Sequence, residues 1–299
     1  MAIIIDGQKH GLAIRAEVKE AAKGKNCTLA VVLVGDDPAS LVYIGMKKKA
    51  CEEAGIGFEL HRLPEAASED EVLALIDGLN ANNAITGILV QQPFPSRLNK
   101  EKILTRLDHR KDVDCLHPYN VGLALAGRAA NSANMQSRPS DDSKPDTVQL
   151  PRLLPCTPAG CITLLKREGI EISGKQAVVI GRSDIVGKPL ALMLMAENAT
   201  VTICHSRTKD LPEVCRRADI LVAAIGRPRF VTADMVKDGA VVIDVGVNRL
   251  EGKKICGDVD YDAVSQKASY ITPVPRGVGP MTVATLMENC VKAWELLRV

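Results

Sequence analysis

Aromatic side chains are scarce in this chain: 3% of 299 residues, with a single tryptophan. A core must come instead from the Val, Ile, Leu and Ala that dominate its 46% apolar content, the composition that parallel sheets prefer. No run reaches the roughly 18 apolar residues of a membrane-spanning helix. The opening MAIIIDGQKH has no basic stretch followed by a long apolar one, so no secretory signal is expected. A charge excess is missing too. The 38 basic and 36 acidic residues leave a net charge of +2, which offers nothing to nucleic acid or a membrane surface. The nine cysteines are odd in number and include no C-x-x-C pair. They read as reduced thiols of a cytoplasmic protein. Cys156 and Cys161 are too loosely spaced for a zinc knuckle and have no matching second pair, so no metal is expected.

What is present is an alternation of helix and strand patterns over a length of about two domains. The first half reads as helix 8–22, strand 28–34, helix 41–54 capped by Ser40 and strand 58–63. The capping box Ser68-Glu69-Asp70-Glu71 then opens a helix to Asn80, followed by strand 87–91. Residues 127–151 break the pattern. Rich in Ser, Asn, Asp and Pro and without a periodic apolar face, they read as a loop or partly disordered insertion. Beyond it come helix 158–168, strand 176–180, helix 188–197, strand 200–204 and helix 211–217. Strands 220–225, 240–245 and 269–271 and a final helix 282–297 follow. Such alternation implies two α/β domains, each a doubly wound parallel sheet. The expected divisions are 1–150 with the insertion 127–152, a Rossmann-type dinucleotide domain 151–280, and a C-terminal helix 281–299.

In the second half, strand 177–180 runs into Gly181-Arg182-Ser183-Asp184-Ile185-Val186-Gly187-Lys188-Pro189. Strand, glycine turn and helix in that order present backbone N–H groups to a pyrophosphate, although the spacing is not G-x-G-x-x-G. A dinucleotide fold chooses its cofactor at the end of the next strand: a carboxylate for the ribose of NAD, a cation for the 2′-phosphate of NADP. That end reads Cys204-His205-Ser206-Arg207-Thr208, with no carboxylate before Asp210 and a further cation in Arg182. NADP is therefore favoured over NAD. A surface turn carrying an ordinary arginine is the plainer alternative.

The first half offers proton-transfer groups. At 100° per residue, Tyr43, Met46, Lys47, Ala50, Cys51 and Ala54 share one helix face, and Lys48, Lys49 and Glu52 the other. Lys47 is then the one charge in the inward stripe, and must be paired or have its pKa lowered, with Tyr43 one turn away. Strand 87–91 ends in Gln91-Gln92-Pro93, where an amide either faces the ligand crevice of a parallel sheet or caps a loop. Asp112 and Asp114, around Val113, would share one side of an extended segment and could bind a polar heterocycle. His117, before Pro118, reads as structural. The junction 272–282, TPVPRGVGPMT, is more tightly specified than a simple turn requires, and it leads into a helix N-terminus.

Nine stretches in this order resemble one family, the methylenetetrahydrofolate dehydrogenase/methenyltetrahydrofolate cyclohydrolases. They are VGDDPAS…Y-x-x-x-K at 35–47, VQQPFP at 90–95, KDVD…HPYNVG at 111–122, PCTPAG at 155–160 and GRSDIVGKP at 181–189, then CHSRT at 204–208, VIDVGVN at 242–248, GDVD at 257–260 and TPVPRGVGPMT at 272–282. The resemblance spans nearly the whole chain except 127–152. It implies NADP-dependent oxidation of 5,10-methylenetetrahydrofolate and hydrolysis of the methenyl product to 10-formyltetrahydrofolate. It also implies a homodimer working in one-carbon metabolism, and a C-terminal helix that returns to the first domain. Lys47 is the implied catalytic group, with Tyr43 as partner, Gln91 tuning the lysine and Asp114 holding the pterin. Val90, Gln92 and the loop Pro275, Arg276, Gly277, Val278 and Gly279 complete the implied substrate contacts. Implied NADP contacts are Thr157, Gly181, Arg182, Ser183, Ile185, Val186, His205, Ser206, Arg207, Gly226 and Val247.

The chain departs from the family's pattern at two glycines. Arg276 stands in the usual P-G-G-V-G-P, and Cys115 follows Asp114 where glycine is usual. A non-Gly residue held at positive φ costs about 1–3 kcal/mol. The Arg276 guanidinium is expected to intrude near the substrate or pair with its glutamate tail, and Asp114 to be re-aimed. These departures are the best support for an alternative reading, a folate- or nucleotide-binding homologue with impaired catalysis. Short-chain dehydrogenases share Y-x-x-x-K but place their glycine turn before it. An amino-acid dehydrogenase would not explain V-Q-x-P or the terminal PVP loop. Ser173-Gly174-Lys175-Gln176 lacks Walker A spacing, which excludes an ATP-dependent formate ligase activity.

Overall fold

The continuous apolar run 28–34 is a strand buried along almost its whole length, as the middle of a parallel sheet covered on both faces must be. The computed structural model describes residues 1–125, 153–250 and 255–298, so the expected insertion 127–152 lies outside the described residues. In chain order the elements are β1 (Ile3–Ile4), α1 (Gly7–Ala21), β2 (Thr28–Val34), α2 (Pro38–Ala54), β3 (Gly57–Leu63), α3 (Glu69–Ala81), β4 (Gly87–Val90), α4 (Lys100–Arg106) and α5 (Pro118–Leu125). Then follow α6 (Cys156–Arg167), β5 (Gln176–Ile180), α7 (Gly187–Ala196), β6 (Thr200–Cys204), α8 (Leu211–Cys215), β7 (Ile220–Ala223), β8 (Val241–Asp244), β9 (Asn248–Arg249), β10 (Ile255–Cys256), α9 (Tyr261–Val264), β11 (Tyr270–Ile271) and α10 (Val278–Leu296). Among the described residues no helix is long and apolar enough to cross a membrane.

Two compact units emerge. One comprises Ile14–Leu154 and Val283–Val299. Its three-stranded sheet has the order β3-β2-β4 and is parallel throughout. Its core joins Val32 and Ile88 from the sheet to Val72 and Ile76 of α3 and Ile103 of α4. The Ser68 capping box forms with both bonds in place: Glu71 N donates to Ser68 Oγ, and Ser68 N donates to Glu71 Oε2. The cap of α2 is not Ser40 but Asp37, which accepts from Ser40 N at 2.7 Å, so the helix starts three residues early with Pro38 at its first position. C-terminal residues belong here too: Asn289 of α10 donates to Val113 O and Leu154 O.

The other unit comprises Met1–Ala13 and Pro155–Thr282. Its six-stranded sheet runs β1-β11-β8-β7-β5-β6, with every pairing parallel. The order reverses at β5, which has β6 on one side and β7 on the other. That switch point is where open α/β sheets bind dinucleotides. The first thirteen residues, expected with the first domain, cluster with this unit because Ile3 and Ile4 pair with Tyr270 and Ile271. The last helix begins at Val278, so the second half of the 272–282 junction is helix rather than loop.

Candidate active site and dinucleotide site

In the first of these units, the β4 strand leads into Gln91, and α2 brings Lys47 to it. Lys47 Nζ donates to Gln91 Oε1 at 2.8 Å, while Gln91 Nε2 donates to Gln92 O at 2.7 Å. The amide is thereby fixed with its oxygen toward the lysine and its nitrogen on the following loop. Lys47, Tyr43 and Gln91 are all half-buried. The buried stripe of α2 is Ser40, Ile44, Ala50, Cys51 and Ala54, and the pair Tyr43 and Lys47 lies at its edge. Met46, expected on the inward face, is 45% exposed: it sits 100° past Lys47, on the same side as Lys49 and Glu53. Val90 is 4% exposed and packs in the core, which leaves only its backbone for any ligand.

The aspartates of KDVD part company. Cys115 N donates to Asp112 O, so the segment turns instead of extending, and the two carboxylates differ in burial. Asp112 is buried and accepts from His117 N at 2.8 Å and Asn120 Nδ2 at 2.9 Å. Burial pushes its carboxyl up to about 6, against the pull of those donors. Asp114 is half-buried. The ring Nδ1 of His117 accepts from Tyr119 N at 3.0 Å.

The dinucleotide unit brings three strand ends together. Gly181 N donates to Cys204 O, which joins the ends of β5 and β6. A Cβ on Gly181 (φ +122°) would stand 2.1 Å from Ala224 O, which ties the same turn to the end of β7. One on Gly187 would meet Gly181 O at 2.3 Å. The turn 181–187 is thus main chain packed on main chain, and only glycine fits at both places. Ser183 Oγ accepts from Val186 N and Gly187 N, capping the entry to α7 and leaving its own O–H to donate. At the end of β6, Thr208 Oγ1 accepts from His205 N and His205 Nδ1 from Arg207 N, with Ser206 and Arg207 exposed. Hydroxyls and guanidinium groups without a carboxylate at this strand end fit a phosphate-bearing ribose. Arg182, Ile185, Gly226 and Val247 are exposed and Val186 is half-buried. Thr157 is bonded to Thr282, Oγ1 to Oγ1 at 3.0 Å.

Both glycine departures lie at positive φ, Cys115 at 60° and Arg276 at 83°. Arg276 does not reach for a substrate. Its Nη2 donates to Asp6 Oδ2 at 3.0 Å, and Asp6 Oδ1 caps α1 by accepting from Gln8 N and Lys9 N. Gln8 N also donates to Arg276 O. With the guanidinium so engaged, the impaired-binder reading loses its main support.

Sequence reasoning missed a carboxylate network behind the dinucleotide loops. Asp258 accepts from Ile225 N (2.7 Å), Gly226 N (2.9 Å), Arg227 N (2.8 Å) and Asn248 Nδ2 (2.8 Å). Asp244 accepts from Gly246 N, Asp258 N and Val259 N, and its own N–H donates to Thr272 Oγ1. The available signal was an aspartate closing the apolar run VVID, where the interior of a sheet needs no charge.

Comparison with known proteins agrees with this anatomy. Residues 5–114 match the family model of the tetrahydrofolate dehydrogenase/cyclohydrolase catalytic domain, and 155–298 that of its NAD(P)-binding domain. The chain is 53% identical over 296 residues to the bifunctional protein FolD of Lachnoclostridium phytofermentans, covering 97% of each. It is 52% identical over 295 residues to that of Moorella thermoacetica, covering 97% of this chain and 98% of the other. Among solved structures, the bifunctional FolD of Campylobacter jejuni superposes with a TM-score of 0.89 at 45% identity over the whole of both chains. The Trypanosoma brucei FolD, solved with NADP and an inhibitor, does so at 0.86 and 34%, over 98% and 97%. The chain belongs to the tetrahydrofolate dehydrogenase/cyclohydrolase family.

Proposed function

We propose that Lys47, positioned by Gln91, carries the proton transfers of an enzyme with two activities. These are NADP-dependent oxidation of 5,10-methylenetetrahydrofolate and hydrolysis of the methenyl product to 10-formyltetrahydrofolate. The observation that carries the role of Lys47 is its 2.8 Å bond to an amide oxygen held from behind by Gln92 O. A carboxylate partner would hold the lysine as ammonium. An amide accepts from either ammonium or amine and favours the charged form far less than a carboxylate does, so the group can give up a proton and take it back. Hydrolysis needs such a group, because water adding to the methenyl carbon sheds a proton and the opening ring nitrogen gains one. Tyr43, at the same half-buried edge, would flank the folate ring, and Asp114 would bond the pterin.

When bound, NADP accepts the hydride from the one-carbon bridge. Gly181 to Val186 would receive its pyrophosphate, and Ser206 and Arg207 its 2′-phosphate. Arg182, Ile185, His205, Gly226 and Val247 would line the remainder. A homodimer in the cytoplasm is the setting we propose; the nine cysteines, all thiols and eight of them buried, suit a reducing compartment.

The test is a two-stage absorbance assay. NADP with methylenetetrahydrofolate should give NADPH and methenyltetrahydrofolate. Methenyltetrahydrofolate alone should decay without NADP. A protein that binds both ligands but drives neither change contradicts the proposal.

A further inference from the structure

A loop at the carboxyl end of a Rossmann strand ordinarily offers its N–H groups to a ligand. Here one such loop has given them away. Residues Ile225, Gly226 and Arg227 follow β7, next to the switch point, and Gly226 has φ +64°. Three consecutive N–H groups on a backbone that turns through a left-handed residue form a concave nest for an anion. That nest is already occupied by the chain's own carboxylate, Asp258, at 2.7–2.9 Å. Asp258 is 0% exposed, so no solvent competes for its oxygens.

The carboxylate is itself held in place. Asn248 Nδ2 donates to Oδ1 from the β9 side, and Asp244 at the end of β8 accepts the N–H groups of Asp258 and Val259. Asp244 is anchored in turn by Thr272 beyond β11. A chain of bonds thus runs Thr272, Asp244, Asp258 and loop 225–227, across the carboxyl ends of three neighbouring strands. Packing leaves no room for substitutes: a Cβ on Gly246 would lie 2.3 Å from the Asp258 carboxylate, and one on Gly257 would lie 1.8 Å from Asp244 Oδ2.

We propose that Asp258 is a positioning residue for the dinucleotide. As an internal anion it sets the shape of loop 225–227 before the cofactor arrives, and it denies those N–H groups to the cofactor's phosphates. Phosphate recognition is left to the turn 181–187 and the end of β6. The exposed Gly226 and its neighbours then serve as a shaped wall, not as phosphate donors. The inference rests on the placement of NADP given above.

The experiment compares Asp258→Asn, Asn248→Ala and Arg207→Ala with the wild-type protein. Asparagine keeps the shape of the side chain but can accept through one oxygen only, and hydrogen bonds to a charged acceptor are the strong kind. In cofactor-free protein, amide hydrogen exchange at residues 225–227 should be protected in the wild type and become faster in Asp258→Asn. The Kd for NADP, measured by calorimetry, should rise about 10- to 100-fold in Asp258→Asn and several-fold in Asn248→Ala. The KM for methylenetetrahydrofolate and the NADP-free hydrolysis of methenyltetrahydrofolate should stay within about 3-fold, a split that general loss of structure does not produce.

If exchange quickens while the Kd for NADP is unchanged, Asp258 orders the loop without positioning the cofactor, and the inference is wrong. If Asp258→Asn fails to fold, Asn248→Ala decides, and an unchanged Kd there overturns the inference. If Arg207→Ala weakens NADP and the other two variants do not, the inference alone fails. Should all three leave the Kd unchanged, the placement of NADP fails with it.

Discussion

The carboxyl ends of the two parallel sheets are built on opposite plans. In the unit with β2 at its centre, the strand end exposes side-chain chemistry: one amide, one lysine, both half-buried, 2.8 Å apart. In the unit with the six-stranded sheet, buried carboxylates collect backbone N–H groups at the strand ends. On the function proposed above, the difference follows from the tasks. A proton-transfer group needs a partner weak enough to let it change charge. A cofactor loop needs a fixed shape, which charged acceptors in a dry interior supply.

The strongest way to break this contrast is at Lys47. Lys47→Met should lower methenyl hydrolysis by about 10³-fold or more, while the Kd for NADP by calorimetry stays put. Loss of NADP affinity in that variant would mean the two ends are not separable. Next in size is Gln91→Glu, which puts a carboxylate where the account requires an amide. It should hold the lysine charged, cost about 10²-fold in hydrolysis near neutral pH, and shift the rising limb of the pH–rate profile upward. A profile that keeps its position removes the partner-strength argument.

A stability measurement sharpens the comparison further. Burial pushes both Asp112 in one unit and Asp244 in the other up to about 6 from an ordinary 3.8. A carboxyl raised in the fold favours folding while protonated. Its contribution is full below the ordinary value, declines as pH rises, and is gone once pH passes about 6. The bonds from His117 N and Asn120 Nδ2 to Asp112 fall on Oδ2, which an asparagine oxygen can replace. Asp112→Asn should therefore remove part of the pH slope of urea stability between about pH 4 and about pH 6, on the order of 2 kcal/mol. An unaltered slope would show that Asp112 is not protonated in that range.

The smallest effect concerns the Arg276 latch. Asp6→Asn keeps a capping oxygen for α1 but removes the charge facing Arg276. Because the pair is exposed, the loss should be about 0.2–1 kcal/mol and should shrink in high salt. A larger, salt-independent loss would point to the cap instead.

How much could be read from the chain alone follows the range of the interactions. Strands 28–34, 176–180 and 200–204 were legible to the residue, because continuous apolar runs bounded by turns need no distant information. The Ser68 box was equally local. The cap of α2 was misassigned within the same short turn, since Asp37 and Ser40 are both good caps and only coordinates show Asp37 accepting from Ser40. Ile3 and Ile4 carry no sign that their partners lie more than 260 residues away, at Tyr270 and Ile271. In the site, Lys47 stood out as a charge in an apolar stripe and Gln91 as an amide at a strand end. Asp258 did not, because its role exists only through partners 31 to 33 residues upstream. Arg276 was legible as a departure but not in direction: Asp6, 270 residues earlier, decides where its guanidinium goes.

The central claim is that the amine of Lys47 itself moves protons, and chemical rescue tests it most directly. Lys47→Ala would be supplied with small primary amines of graded basicity while methenyltetrahydrofolate decay is followed. Hydrolysis should return in proportion to amine concentration and increase with amine basicity. A variant that ignores every amine, or one that hydrolyses at the wild-type rate without any, contradicts the claim.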